Sequence, residues 1–129
     1  MTIIEAEHYE EDSFDAQRFA RTIFARPDRP SAIINQANAS VLSQVLMALH
    51  DAGMSIPQDV SVLSCGTYFE GELMPQPITE MPVMPQELCS KAVDLLVDAI
   101  DEHRDIKGLV ELSAPVMHSR GSVTKVGDV

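Results

Sequence analysis

The sequence predicts an α/β fold, a parallel sheet with helices on both faces. Short apolar runs rich in β-branched residues alternate along the chain with segments whose apolar residues recur at helical spacing. Strands separated by helices normally pair in parallel, because each helix returns the chain to the same end of the sheet. The length of 129 residues fits a single α/β domain over 1–129 with one core.

The chain is predicted to begin with a strand at 2–6 and an acidic loop at 8–12. A helix follows, and Asp12 or Ser13 is its expected N-cap, because short side-chain oxygens accept the free backbone N–H groups of a first turn. This helix stops at the prolines of 27–30, since proline cannot donate a helical hydrogen bond.

A second unit begins with a strand predicted at 31–35. The helix after it has one apolar stripe at the spacing i, i+3, i+4 and i+7, formed by Leu42, Val45, Leu46 and Leu49. Gly53 can supply the left-handed residue that ends this helix, and a third strand is predicted at 60–64.

The second half of the chain is less regular. Residues 78–84 are extended but contain Pro82, which indicates an edge strand, a crossover or a hinge. A helix over 85–103 has a broad apolar arc, which is typical of contacts on two sides. A last strand is predicted at 109–112, and the polar tail is expected to fray from Gly121 onward.

The composition excludes several function classes. A net charge of −11 at pH 7 repels both nucleic-acid phosphate and anionic membrane surfaces. No apolar run approaches the ~20 residues of a membrane helix, and the N-terminus lacks the basic and apolar regions of a secretory signal. The two cysteines, Cys65 and Cys89, are too few for a disulfide framework, so we expect reduced thiols in a cytoplasmic protein.

The central part of the chain, residues 48–63, reads ALHDAGMSIPQDVSVL. It resembles the LacI/GalR family of bacterial transcription regulators, which carry the run A-L-x-x-x-G-x-x-V-P-x-D-(V/I)-S-V-V-G-(F/Y)-D-D. Residues 77–79, Pro-Ile-Thr, are similar to the family's P-L-T-T crossover, and 120–122, Arg-Gly-Ser, to its R-x-S near the C-terminus. The likeness covers roughly 31–123 and is most specific in its centre.

The resemblance implies the C-terminal part of an effector-binding domain with a periplasmic-binding-protein-like fold. In that fold a small molecule, often a sugar or a purine, binds in the cleft between two subdomains. The helix at 85–103 would then belong to the other subdomain, and Met1 would be a truncation start. Operator DNA would be read by an N-terminal helix-turn-helix that this chain does not contain. The expected role is effector sensing and homodimerisation in a regulator, not enzyme catalysis.

Ligand contacts are expected beyond the C-terminal ends of the strands, where open parallel sheets hold their ligands. The candidates are Asn38, Cys65, Gly66 and Thr67. Asn38 matches the asparagine of the family's N-D pair, but it could also be a helix cap and no more. Ala39 and Gly66 stand where the family has aspartates, so the strongest acceptors for sugar hydroxyls are missing. Either the effector is less hydroxylated, or this half does not bind one.

The resemblance also places four apolar residues near the two-fold subunit contact: Val41, Leu42, Leu73 and Met74. These residues are the expected homodimer interface.

The alternative is a stand-alone small α/β enzyme or ligand-binding protein that uses the strand end from Ser64 to Thr67. A nucleophilic Cys65 would need a nearby histidine such as His118, so an unreactive thiol is favoured. The acidic residues at 7–12 lack the spacing of metal-ligand motifs. The six glycines are scattered and form no phosphate loop, and we expect neither a metal nor a cofactor.

Overall fold

The computed structural model describes residues 15–66, 69–103 and 115–125. The helices are α1 (Ala16–Phe24), α2 (Ala39–Asp51), a short 3₁₀ helix (Glu70–Leu73) and α3 (Pro85–Asp101), and the strands are β1 (Ala32–Asn35), β2 (Ser61–Ser64) and β3 (Thr79–Glu80). The predicted strands at 2–6 and 109–112 and the acidic loop at 8–12 lie outside the described residues.

The three strands lie side by side in the order β1-β2-β3, and both neighbouring pairs are parallel. This arrangement confirms the predicted α/β fold with a parallel sheet. The register aligns Asn35 with Ser64 and Ser64 with Glu80, so the last residues of all three strands form one row across the sheet.

Helix α1 begins one residue after Asp15, whose side chain accepts a hydrogen bond from the backbone N–H of Arg18 at 2.8 Å. The prediction of Asp12 or Ser13 as N-cap was therefore wrong, because the cap must directly precede the first helical residue. Helix α2 is capped by Asn38 and is followed by Gly53 with a φ of 69°, as predicted.

The core lies where α1 and α2 pack together against the sheet. Leu42 and Leu49 of the predicted stripe are each 1% exposed, while Val45 and Leu46 are partly buried against the same cluster. The other buried members are Ala20, Phe24, Ala48, Val60, Val62 and Ile78.

The segment after Gly121 is anchored to the sheet, so the prediction that it frays was wrong for the described residues up to 125. The Ser122 hydroxyl donates to the Val62 carbonyl at 2.6 Å and accepts from the Thr79 N–H at 2.7 Å. Ser122 is fully buried, and its backbone carbonyl accepts from the N–H of Val62 at 2.8 Å. The Ser122 hydroxyl therefore pairs the Val62 carbonyl and the Thr79 N–H, two buried backbone groups that each need a hydrogen-bond partner.

Beyond β3 the chain stays extended to Met84, and Pro85 then occupies the first turn of α3. Among the described elements, none packs on α3 as α1 packs on α2, and five of its large apolar side chains are exposed: Leu88, Val93, Leu96, Val97 and Ile100. None of the described helices has the length and apolar character needed to cross a membrane.

Candidate functional site

The candidate site lies at the carboxyl ends of the parallel strands. The row formed by Asn35, Ser64 and Glu80 is polar, although its members are only 8%, 1% and 2% exposed. Open α/β sheets bind their ligands in the crevice outside this edge, at the carboxyl ends of the strands. Each side chain of the row is buried and therefore has to be accounted for by a partner.

Asn35 and Ser64 are joined in one network. The Asn35 side-chain Nδ2 donates to the Ala37 carbonyl at 3.0 Å and to the Ser64 hydroxyl oxygen at 3.4 Å. The same hydroxyl oxygen accepts from the backbone N–H of Gly66 at 3.3 Å. The network fixes the loops that leave β1 and β2, because both loops hydrogen bond to side chains of the strands.

Asn38 lies on the loop after β1, at the start of α2. Its Oδ1 accepts from the backbone N–H of Val41 at 3.1 Å, which is the expected N-cap interaction. The cap leaves the amide Nδ2 without a hydrogen-bond partner among the described residues. Asn38 is exposed at the strand ends, so a cap and a ligand contact are compatible in one side chain.

Cys65 and Gly66 follow β2 directly. The Cys65 N–H donates to the Asn35 carbonyl at 2.7 Å, and the half-buried thiol forms no disulfide. The Gly66 carbonyl accepts from the N–H of Val83 at 2.9 Å, which ties the strand end to the segment that leads into α3. Thr67, the last predicted ligand contact, lies outside the described residues.

Glu80 closes the polar row on the β3 side. Its Oε2 accepts from the backbone N–H of Gly71 at 2.7 Å, and its Oε1 lies 2.6 Å from Arg120 Nη1. The second contact has the distance of an ion pair but does not have the angles of a hydrogen bond. Arg120 Nη1 donates instead to the Ile78 carbonyl at 3.1 Å. A charge buried to this degree has to be paired, so Arg120 and Glu80 depend on each other.

The residues considered for enzyme chemistry are not assembled into a catalytic pair. The His118 ring packs edge-on against Phe69, with centroids 5.2 Å apart, and no described contact links it to Cys65. Within the described ranges, no three His, Cys, Asp or Glu side chains are grouped closely enough to hold a metal ion. The acidic residues at 7–12 lie outside those ranges.

The four predicted interface residues differ in accessibility. Leu73 is 80% exposed at the end of the 3₁₀ helix, and Val41 is half-buried. Met74 is partly buried and packs against the core. Leu42 is 1% exposed inside the core, so it is not available to a partner subunit and is removed from the proposed interface.

Sequence reasoning missed two residues of this site: Asn35 and Glu80. Glu80 carried a signal, because a charged residue between Ile78 and Met81 interrupts an apolar run and suggests a buried, paired charge.

Comparisons with known proteins agree with this architecture. Residues 2–123 match the family described as periplasmic binding protein-like domain. The chain is 28% identical to the ribose operon repressor of Escherichia coli (strain K12) over 109 aligned residues. The alignment covers 84% of this chain and 32% of that protein. The chain is 29% identical over 76 residues to the HTH-type transcriptional repressor PurR of Glaesserella parasuis serovar 5, which covers 59% of this chain and 22% of that protein.

Solved structures show the same fold. The transcription regulator CcpA of Lactococcus lactis superposes with a TM-score of 0.67 at 18% identity, over 91% of this chain and 41% of that one. A LacI family regulator from Arthrobacter sp. FB24, in complex with lactose, gives a TM-score of 0.63 at 20% identity, over 84% of this chain and 41% of that one. The chain spans about a third of the length of the ribose operon repressor. It belongs to the periplasmic binding protein-like domain family, in the form found in the effector-binding domains of LacI/GalR regulators.

Proposed function

We propose that this chain is the effector-sensing and dimerisation part of a LacI-type transcriptional regulator. A small molecule binds at the carboxyl ends of β1 and β2, and binding controls a helix-turn-helix that contacts operator DNA. The observation that supports this most is the convergence of Asn35, Asn38 and Ser64 at one sheet edge, in a family of ligand-binding domains.

The proposed effector is a sugar-like or purine-like molecule in the cytoplasm. Two relatives are named for ribose and lactose operons, one is a purine-type repressor by its name PurR, and one solved relative holds lactose. The site offers such a ligand the exposed amide of Asn38, whose Nδ2 can donate a hydrogen bond while its Oδ1 caps α2. Asn35 and Ser64 are buried and hold the adjoining loops in place. A role as an enzyme is disfavoured, since the matched relatives are repressors and Cys65 has no histidine partner among the described residues.

The exposed apolar residues of α3 support a further part of the proposal. A helix with five large exposed apolar side chains is usually covered by another surface. We assign that surface to the second subdomain of the effector-binding domain, which would complete the cleft over the strand ends.

The test is a thermal-denaturation screen of the purified chain against free sugars, sugar phosphates and purines at millimolar concentration. Ligands that bind only the folded state raise the midpoint temperature of unfolding. A ligand at about 100 times its dissociation constant adds roughly 2.7 kcal/mol to the free energy of unfolding. We expect at least one sugar or purine to raise the midpoint by several degrees and to be recovered unchanged. A screen without any such compound, or one in which the compound is turned over, would contradict the proposal.

A further inference from the structure

The carboxylate of Glu70 lies close to the place where a side chain at position 66 would begin. A Cβ atom built on Gly66 would lie 3.1 Å from Glu70 Oε2 and 3.3 Å from the Ser64 hydroxyl oxygen. Gly66 is itself buried, so this space belongs to the strand end and not to open solvent. The glycine therefore lets a carboxylate from the 3₁₀ helix reach the carboxyl end of β2.

The Glu70 carboxylate has no cationic or N–H partner among the described residues. Two further oxygen atoms lie near the same Cβ position: the Ser64 hydroxyl oxygen, which accepts two hydrogen bonds and still carries its own proton, and the Ala37 carbonyl oxygen at 3.6 Å. The Glu70 side chain is half-buried, so its carboxylate can be reached from solvent. A ligand hydroxyl at this strand end can donate to it in place of water.

We propose that Glu70 is the hydrogen-bond acceptor of the effector site, and that it selects an uncharged ligand with adjacent hydroxyl groups over the phosphorylated form of that ligand. This inference rests on the proposed function and names the residue and the ligand class. Carboxylate oxygens accept strong, charge-assisted hydrogen bonds from hydroxyls. They repel a phosphate at the same place, and the net charge of −11 adds to that repulsion.

Glu70 also resolves a difficulty in the sequence. Gly66 and Ala39 stand where the related regulators carry aspartates, which suggested a site without a strong acceptor. A carboxylate at position 70 restores the acceptor from a different point on the chain. A Cβ at position 66 would lie 3.1 Å from the Glu70 carboxylate, so that carboxylate would have to move by a few tenths of an ångström.

The experiment is isothermal titration calorimetry of the wild-type chain, Glu70→Gln and Glu72→Gln with D-ribose, lactose and D-ribose 5-phosphate. Glu72 is a matched control, because it lies on the same 3₁₀ helix and its exposed carboxylate contacts Arg120 at 3.4 Å. We expect a free sugar to bind the wild-type chain. Glu70→Gln should weaken the affinity for that sugar roughly ten- to hundred-fold, and Glu72→Gln should change the affinity less than about two-fold.

Thermal denaturation without sugar separates this role from a structural one. Glu70→Gln removes an unpaired carboxylate, so its midpoint should equal or exceed that of the wild type. A free sugar that binds both proteins equally, or a sugar phosphate that binds better than the free sugar, would overturn the assignment of Glu70 while the proposed function stands. If no compound of the wider screen binds, the proposed function fails and the assignment fails with it.

Discussion

Arg120 and Glu80 show how much of this fold depends on a single pair of side chains. Glu80 is 2% exposed and the Arg120 side chain 16% exposed, and the pair connects β3 to the segment before Gly121. Removing one member of such a pair leaves the other charge buried and uncompensated. The two charges are 40 residues apart in sequence, so neither could be assigned a partner from its own neighbourhood.

We predict that Arg120→Met lowers the free energy of unfolding by about 3–5 kcal/mol, because the charge of Glu80 is left without a partner. Glu80→Gln should lower the free energy of unfolding by a smaller amount, since Arg120 can still contact Glu72 and solvent. Urea denaturation measures both variants and the double variant, which should recover part of the loss.

The control for this prediction is Arg26→Met. The hydrogen bond from Arg26 holds the pKa of Asp28 below its usual value, but both side chains are exposed. We expect the urea midpoint of Arg26→Met to match that of the wild type, because exposed ion pairs contribute little to stability. An Arg120→Met midpoint as high as that of this control would contradict the assigned role.

At the scale of elements, α2 joins the core to the candidate site. Its buried face carries Leu42 and Leu49, while its N-terminus places Asn38 at the strand ends. Local rules were sufficient to predict this helix, because the apolar period and the two caps lie within one short stretch of sequence. They could not decide whether Asn38 only caps the helix.

Asn38→Asp separates the two roles of this residue. Aspartate keeps the oxygen that caps α2 and suits the positive end of the helix dipole, so the thermal midpoint should not fall. It lacks the amide donor, so we expect the affinity for the sugar found in the screen to drop by about ten-fold or more. Asn38→Ala is the comparison, with a loss of about 1 kcal/mol of stability. An unchanged sugar affinity in Asn38→Asp would leave the residue as a cap alone.

For the whole molecule, the proposed homodimer and the exposed face of α3 both concern apolar surface that is exposed in the described part of the chain. Leu73 is the most exposed of the proposed interface residues, at 80%. A side chain with this exposure buries little apolar area in the monomer, so most of its contribution to stability is expected on association.

We therefore predict that Leu73→Asp yields a monomer in sedimentation velocity, at concentrations where the wild type is a dimer. Its thermal midpoint at low concentration should be unchanged, because the side chain makes no core contact. Val116→Asp is the matched control, since Val116 is 71% exposed but lies outside the proposed interface. A wild-type monomer, or equal dimerisation of both variants, would contradict this interface.

The sequence by itself determined the elements and the fold class of this protein. Strands β1 and β2 and helix α2 follow from periodicity, caps and proline, all of which act within a few residues. For 78–84 the sequence left an edge strand, a crossover and a hinge open, and the structure forms strand β3 there. The family resemblance added the general position of the site, at the strand ends.

Only the tertiary structure decided which residues complete that site. The contacts of Glu80 with Arg120 and of Ser122 with β2 and β3 join segments that lie about 40 to 60 residues apart in the sequence. Such contacts depend on packing and on the need to satisfy buried polar groups, and neither leaves a regular pattern in the sequence.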